Sequence, residues 1–167
     1  MLANFIAIPV MLILSVLQIT AVSRIVLFNG TADLVLLAVA AWGVRERGKN
    51  VFLWAFIGGL LISFTSAMPL FTPIVPYMFI ALIARLFQDR LWQAPILSLI
   101  IVVFAGTLFQ HIFNIVVLQL NSVNLGFIES IQKVTLPSLL LNFFFLFPIY
   151  VLISDIGKWV FPEENYE

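Results

Sequence analysis

Residues 31–50 read TADLVLLAVAAWGVRERGKN, and this stretch sets the pattern of the whole chain. An apolar run opens at Asp33 and stops abruptly in a short hinge that holds Arg45, Arg47 and Lys49. Long apolar runs separated by short charged hinges recur along the sequence, which is 63% hydrophobic. Soluble domains are about 45–50% apolar, so the sequence predicts an all-α integral membrane protein.

Six apolar segments are predicted to cross the membrane, because one crossing needs about 20 residues. They form a single polytopic membrane domain, with helices at about 3–28, 31–44, 51–66, 73–87, 95–120 and 135–158. The second helix, for which Thr31 is the predicted N-cap, is short. It either thins the bilayer locally or lies against other helices inside the bundle. Gly58 and Gly59 are predicted to let a neighbouring backbone approach the third helix.

The segment 121–134 differs from the rest because apolar and polar residues alternate in it. Glu129 and Lys133 are spaced i,i+4, which favours a helix. A short amphipathic helix at the outer membrane interface is the simplest interpretation. The linker after the third helix, with Pro69, Pro73 and Pro76, carries no charge.

The basic residues predict the orientation in the membrane. If the amino terminus is cytoplasmic, that side holds most of the bases: Arg45, Arg47, Lys49, Arg85, Arg90 and Lys158, against Arg24 and Lys133 on the other. The positive-inside rule then gives an N-in/C-in topology. The four tryptophans, Trp42, Trp54, Trp92 and Trp159, lie beside the same hinges and are predicted to form an interfacial belt. Five or seven crossings would scatter both markers over the two faces.

The polar residues do not suggest an enzyme. The chain has one histidine, His111, and no cysteine, and a zinc site needs three or four such ligands. No metal, cofactor or nucleic acid is predicted. Asp33 is assigned to the dipole of the second helix. Gln110, His111, Asn114 and Asn142 are predicted to hydrogen-bond neighbouring helices; the alternative is that they line a pocket for a polar solute or contact a partner's transmembrane helix.

The order of these features resembles the bacterial rod shape-determining MreD family, over roughly residues 31–155. The matching features are Asp33-Leu34 at the start of the second helix, the hinge from Arg45 to Lys49, Gly58-Gly59 followed by Pro69-Leu70, the helix ending in Arg85, and LPSLLLN at 136–142 followed by Pro148.

The resemblance implies a non-enzymatic, multi-pass scaffold subunit of the cell-elongation machinery in the bacterial cytoplasmic (inner) membrane. Such a subunit supports rod shape and lateral peptidoglycan synthesis. Its implied partners are MreC and the lipid bilayer, with RodA, its penicillin-binding protein and MreB contacted directly or indirectly. The apolar surfaces outside the bilayer core are predicted to contact MreC. They include Phe127, Ile128 and Ile131 in the amphipathic segment, and Pro69 and Phe71 in the linker.

A different class remains open: the substrate-binding S component of an energy-coupling-factor vitamin transporter. These proteins are six-helix bundles of about this size, and an S-component-like bundle is the expected fold. Ala3 and Ala7 have the small-xxx-small spacing such components use for docking. A vitamin pocket would need converging polar and aromatic groups, for which the linker offers mainly Thr72 and Tyr77. A small channel is disfavoured because no helix has a continuous polar stripe.

Overall fold

A short, wholly buried helix forms the centre of the structure, a computed structural model that describes residues 2–45, 50–88, 95–123 and 126–161. The main helices in these ranges are α1 (Leu2–Thr20), α2 (Leu34–Val44), α3 (Val51–Ser63), α4 (Phe71–Gln88), α5 (Pro95–Leu120) and α6 (Phe127–Val160). All 11 residues of α2 are buried. A helix that is apolar on every side belongs in an interior. Of the two alternatives predicted for this helix, packing inside the bundle is therefore the one observed.

The other five helices surround α2, and each of them contacts it. Around α2, α1 packs against α3, α3 against α4, α4 against α5, and α5 against α6. The carboxyl end of α1 and the amino ends of α2, α4 and α6 lie at one end of the bundle, called here the Asp33 end. The opposite end, where α2 and α4 finish, is called the Arg45 end.

Four helices are long and apolar enough to cross a membrane: α1 with its continuation to Arg24, α4, α5 and α6. The remaining two, α2 and α3, are apolar but shorter. The predicted class, an all-helical membrane protein, is confirmed at this level.

The first helix ends at Thr20, short of the predicted residue 28. A single 3-10 turn, Val22–Arg24, follows, and the chain then runs without helix to Asp33. Asp33, and not Thr31, is the N-cap of α2: its side chain accepts a hydrogen bond from the Leu36 N–H. The connector between α1 and α2 makes a tight turn, in which Leu27 and Gly30 exchange two backbone hydrogen bonds. It packs on α6, where a Cβ on Gly30 would lie 2.5 Å from the Ser138 nitrogen.

The amphipathic segment is not a separate interfacial helix, so that prediction was wrong. Residues Phe127–Ser130 are α-helical, Ile131–Thr135 form a π turn, and Leu136–Val160 continue the helix without a break. Residues 124 and 125, which the prediction also covered, lie outside the described ranges. Pro137 has no N–H to donate to the Lys133 carbonyl four residues earlier. The Asn29 N–H donates to that carbonyl instead, at 3.0 Å, so the connector completes the hydrogen bonding of α6.

Two tryptophans predicted to form an interfacial belt are in the core. Trp42 and Trp54 are 1% and 0% exposed, and their rings stack with centroids 4.0 Å apart. The belt is therefore wrong for these two residues, because the helices that carry them face each other. Trp159 is 70% exposed. Trp92, like the hinge bases Arg47, Lys49 and Arg90, lies outside the described residues.

Gly59 lies where α3 approaches the backbone of α4. A Cβ at this position would be 2.8 Å from the Ile74 Cα. The predicted close approach is confirmed here, whereas Gly58 faces the Val35 side chain of α2.

Candidate functional site

The carboxylate of Asp33 is the centre of a buried polar network at the amino end of α2. Its Oδ1 accepts the Leu36 N–H at 2.9 Å. Its Oδ2 accepts two hydrogen bonds, from the Tyr77 hydroxyl at 2.8 Å and from the Gln110 amide at 2.7 Å. Asp33 itself is 8% exposed and Tyr77 is fully buried. Three donors around one carboxylate suit a group that, when ionised, only accepts hydrogen bonds.

Asn142 of α6 joins the same network from the opposite side. Its Oδ1 accepts the backbone N–H of Asp33 at 2.7 Å, and its Nδ2 donates to the Thr107 hydroxyl of α5 at 2.9 Å. Both side chains are buried. The Asn142 amide therefore links three helices, and both its oxygen and its nitrogen are hydrogen-bonded.

Gln18 brings α1 into contact with the start of α2. Its Oε1 accepts the Val35 N–H at 3.2 Å. Two of the N–H groups that the first turn of a helix leaves without an intrahelical partner are thus bound by Asp33 and Gln18. We call Gln18, Asp33, Tyr77, Thr107, Gln110 and Asn142 the Asp33 network.

The structure separates the four polar residues that the sequence singled out. Gln110 and Asn142 belong to the Asp33 network. His111 follows Gln110 on α5 and is half-buried. Asn114 is also half-buried, but it makes no hydrogen bond to another described residue. Of these two residues of α5, Gln110 therefore bonds a neighbouring helix among the described residues and Asn114 does not.

Asp33 is the functional candidate that sequence analysis underestimated. Its place at the start of an apolar run predicted only an interaction with the dipole of the second helix, and the network members Tyr77 and Thr107 were not singled out. The available signal was their chemistry: each carries a hydroxyl inside a mostly apolar helix. Their convergence depends on how the helices pack, which spacing along one helix does not reveal.

The five residues predicted to contact a partner lie at the Asp33 end. Phe127, Ile128 and Phe71 are 46%, 71% and 53% exposed. Pro69 is also exposed, and Ile131 is half-buried. They come from two separate segments, the start of α6 and the turn between α3 and α4.

The network lies deep in the bundle. α2 rises only about 16 Å over its length, whereas the hydrocarbon core of a bilayer is about 30 Å thick. If the Arg45 end lies at one membrane surface, Asp33 therefore lies well inside the membrane. Ionisable groups at such depth are costly and typically functional. Among the described residues, no cluster of three or more potential metal ligands surrounds it.

Fold and site together define the class: a helical membrane protein whose buried central helix is held at its amino end by a carboxylate-centred network. Comparison with protein-family models, curated proteins and solved structures found no match for the chain.

Proposed function

We propose that the protein is a non-enzymatic scaffold subunit of the bacterial cell-elongation machinery that binds MreC. In this proposal six helices cross the inner membrane and both termini are cytoplasmic, so the Asp33 end faces outward. RodA, its penicillin-binding protein and MreB are further partners, reached directly or through MreC. The proposal combines the MreD resemblance with one structural observation, the length of α6.

α6 is longer than a membrane crossing requires. Its 34 residues rise about 51 Å, roughly 20 Å more than the hydrocarbon core of a bilayer. If its carboxyl end lies at the inner surface, its first turns project beyond the outer one. Phe127 and Ile128 lie in those turns and are exposed. Large apolar side chains held out in water mark a surface that another protein covers.

The turn between α3 and α4 supplies a second apolar surface at the same end. Phe64, Leu70 and Phe71 are 72%, 57% and 53% exposed there. In the interior, by contrast, the side chains of Asp33 and Asn142 bond other groups of the bundle in the Asp33 network. A protein built in this way presents its outer surfaces to other proteins, which suits a scaffold better than a catalyst.

The test compares two substitutions on α6. Ile128 and Trp159 are almost equally exposed, at 71% and 70%, but lie at opposite ends of the helix. Ile128→Glu should reduce co-purification with MreC by about tenfold or more, as expected for a contact worth over 1 kcal/mol. Trp159→Glu should leave it unchanged. Equal recovery of MreC with wild type and Ile128→Glu would contradict the proposal.

The same purification separates the scaffold from the S component. The tagged protein is isolated from its own host in mild detergent and its partners are identified by mass spectrometry. Recovery of a single-pass coiled-coil protein supports the scaffold. Recovery of paired ATPases with a transmembrane coupling protein supports the transporter subunit and overturns the scaffold.

A further inference from the structure

A cleft of about 350 Å³ opens at the Asp33 end, between the end of α1, the connector to α2 and the end of α3. We call it the Gln18 cleft. It exists because α1 stops at Thr20 and does not continue alongside α3. Its volume is within the range of small-ligand sites. It is lined by Gln18, Ile19, Ser23, Thr31, Ala32, Ile62, Thr65 and Ser66.

Most of the lining side chains are hydroxyls or amides, although the surrounding helix faces are apolar. Ser23 and Thr65 donate their hydroxyl hydrogens to backbone carbonyls one turn earlier, those of Ile19 and Ile62. Their oxygens therefore face any ligand as acceptors. The Ser66 hydroxyl accepts the Met68 N–H at 3.1 Å, so its hydrogen remains free to donate. The Thr31 hydroxyl makes no hydrogen bond to another described residue, so it can both donate a hydrogen bond to a ligand and accept one.

None of the residues that line the cleft is charged. An ionised phosphate or carboxylate would lose its hydration there without gaining an opposite charge, which is costly. A purely apolar ligand would leave the hydroxyls without partners, which is also unfavourable. The cleft therefore fits a neutral molecule that both donates and accepts hydrogen bonds, and hydroxyl groups do both.

We propose that the Gln18 cleft binds a small uncharged ligand with several hydroxyl groups, a sugar or polyol. Ile19 and Ile62 would pack against the apolar C–H faces of such a ligand. Gln18 joins the cleft to the Asp33 network through its hydrogen bond to Val35. The sugar can be free in solution or the headgroup of a glycolipid whose chains lie along the exposed face of α1, where Ile13 and Val16 are 57% and 49% exposed.

The experiment uses the full chain, purified in a sugar-free detergent and placed in phosphatidylcholine nanodiscs. One arm measures binding of radiolabelled glucose by equilibrium dialysis. The other adds monoglucosyl diacylglycerol, or diacylglycerol with the same chains, and counts bound lipids by native mass spectrometry. Saturable binding of about one glucose, or of the glycolipid in preference to diacylglycerol, is expected and identifies the source of the sugar.

Variants place the binding in the cleft. The double variant Thr31→Val, Thr65→Val removes two hydroxyls without changing side-chain size and should weaken binding on the order of tenfold. Thr20→Val is the matched control, because Thr20 also bonds a carbonyl one turn earlier but does not line the cleft. Melting temperatures verify folding, and Ser66→Ala replaces the double variant if that variant unfolds.

Two results would overturn the proposal. The first is no saturable binding of glucose up to about 10 mM together with equal binding of diacylglycerol and glycolipid. The second is equal affinity of the folded cleft variant and wild type for the sugar that binds. Neither depends on whether MreC co-purifies, so this inference and the proposed function fail separately.

Discussion

At the scale of the residue, Asp33 has two structural roles, and each of its carboxylate oxygens serves one of them. Oδ1 caps α2 through Leu36, and Oδ2 binds Tyr77 of α4 and Gln110 of α5. A neutral cap such as serine could serve only the first role. The second requires an acceptor with spare lone pairs, which a carboxylate supplies. The identity of this residue therefore follows from the packing of three helices around one point.

Replacing Asp33 should destabilise the bundle more when the new side chain keeps fewer hydrogen-bond acceptors. Asp33→Ala removes the cap and leaves two buried donors unpaired, so the free energy of unfolding should fall by about 2–4 kcal/mol. Asp33→Asn keeps one oxygen and should cost about half as much. Thermal unfolding in nanodiscs measures both effects.

The control is Asp155→Ala, because that carboxylate is exposed and forms its ion pair with Lys158 on the surface. Its loss should change stability by less than about 0.5 kcal/mol. A loss in Asp33→Ala no larger than in Asp155→Ala would show that the network contributes nothing to stability.

At the scale of the element, the sequence predicted helices well where local signals decide them. α5 occupies Pro95–Leu120, as predicted, because a proline favours its first turn and no breaker interrupts its apolar run. The end of α1 was not predictable in this way. Residues 25–28 are apolar and read as helix, but the connector is held on α6, where Thr31 bonds Ser138 across 107 positions of sequence. Contacts between residues so distant in sequence cannot be predicted from the spacing of apolar residues along one segment.

The packing of α3 on α4 makes a second stability prediction. Gly59→Ala would place a methyl group 2.8 Å from the Ile74 Cα, and backbone cannot move aside as a flexible side chain can. The expected loss is about 1–3 kcal/mol, measured by thermal unfolding.

Gly126→Ala is the control for this prediction. Its Cβ would lie 3.4 Å from atoms of the exposed Glu129 side chain, which can give way, so a change within about 0.5 kcal/mol is expected. Equal melting temperatures for the two variants would mean that the approach of α3 to α4 is looser than the structure has it.

At the scale of the whole molecule, contacts at the Arg45 end bring four helices together. The Arg45 guanidinium donates to the Ser154 carbonyl of α6, and the Gln88 amide at the end of α4 donates to the Arg45 carbonyl at 2.7 Å. Arg85 lies over the Phe52 ring of α3, 5.8 Å from its centroid. The hinge between α2 and α3 is therefore at the end of the bundle where α4 and α6 finish. The short helices α2 and α3 therefore meet at the Arg45 end and run from it toward the Asp33 end.

If the Arg45 end and the Asp33 end lie at opposite faces of the membrane, the chain crosses six times; if α2 and α3 do not cross, it crosses four times. Single introduced cysteines can distinguish the two topologies, because the chain has no cysteine of its own. With six crossings and an N-in/C-in topology, Val123→Cys should react with a membrane-impermeant maleimide in intact spheroplasts. Asn50→Cys and Lys158→Cys should react only after lysis. Asn50 is the deciding position: if α2 and α3 do not cross, it lies on the same side as Val123 and is labelled in intact cells. Labelling of Lys158→Cys without lysis would instead indicate the orientation opposite to the one that the basic hinges predict.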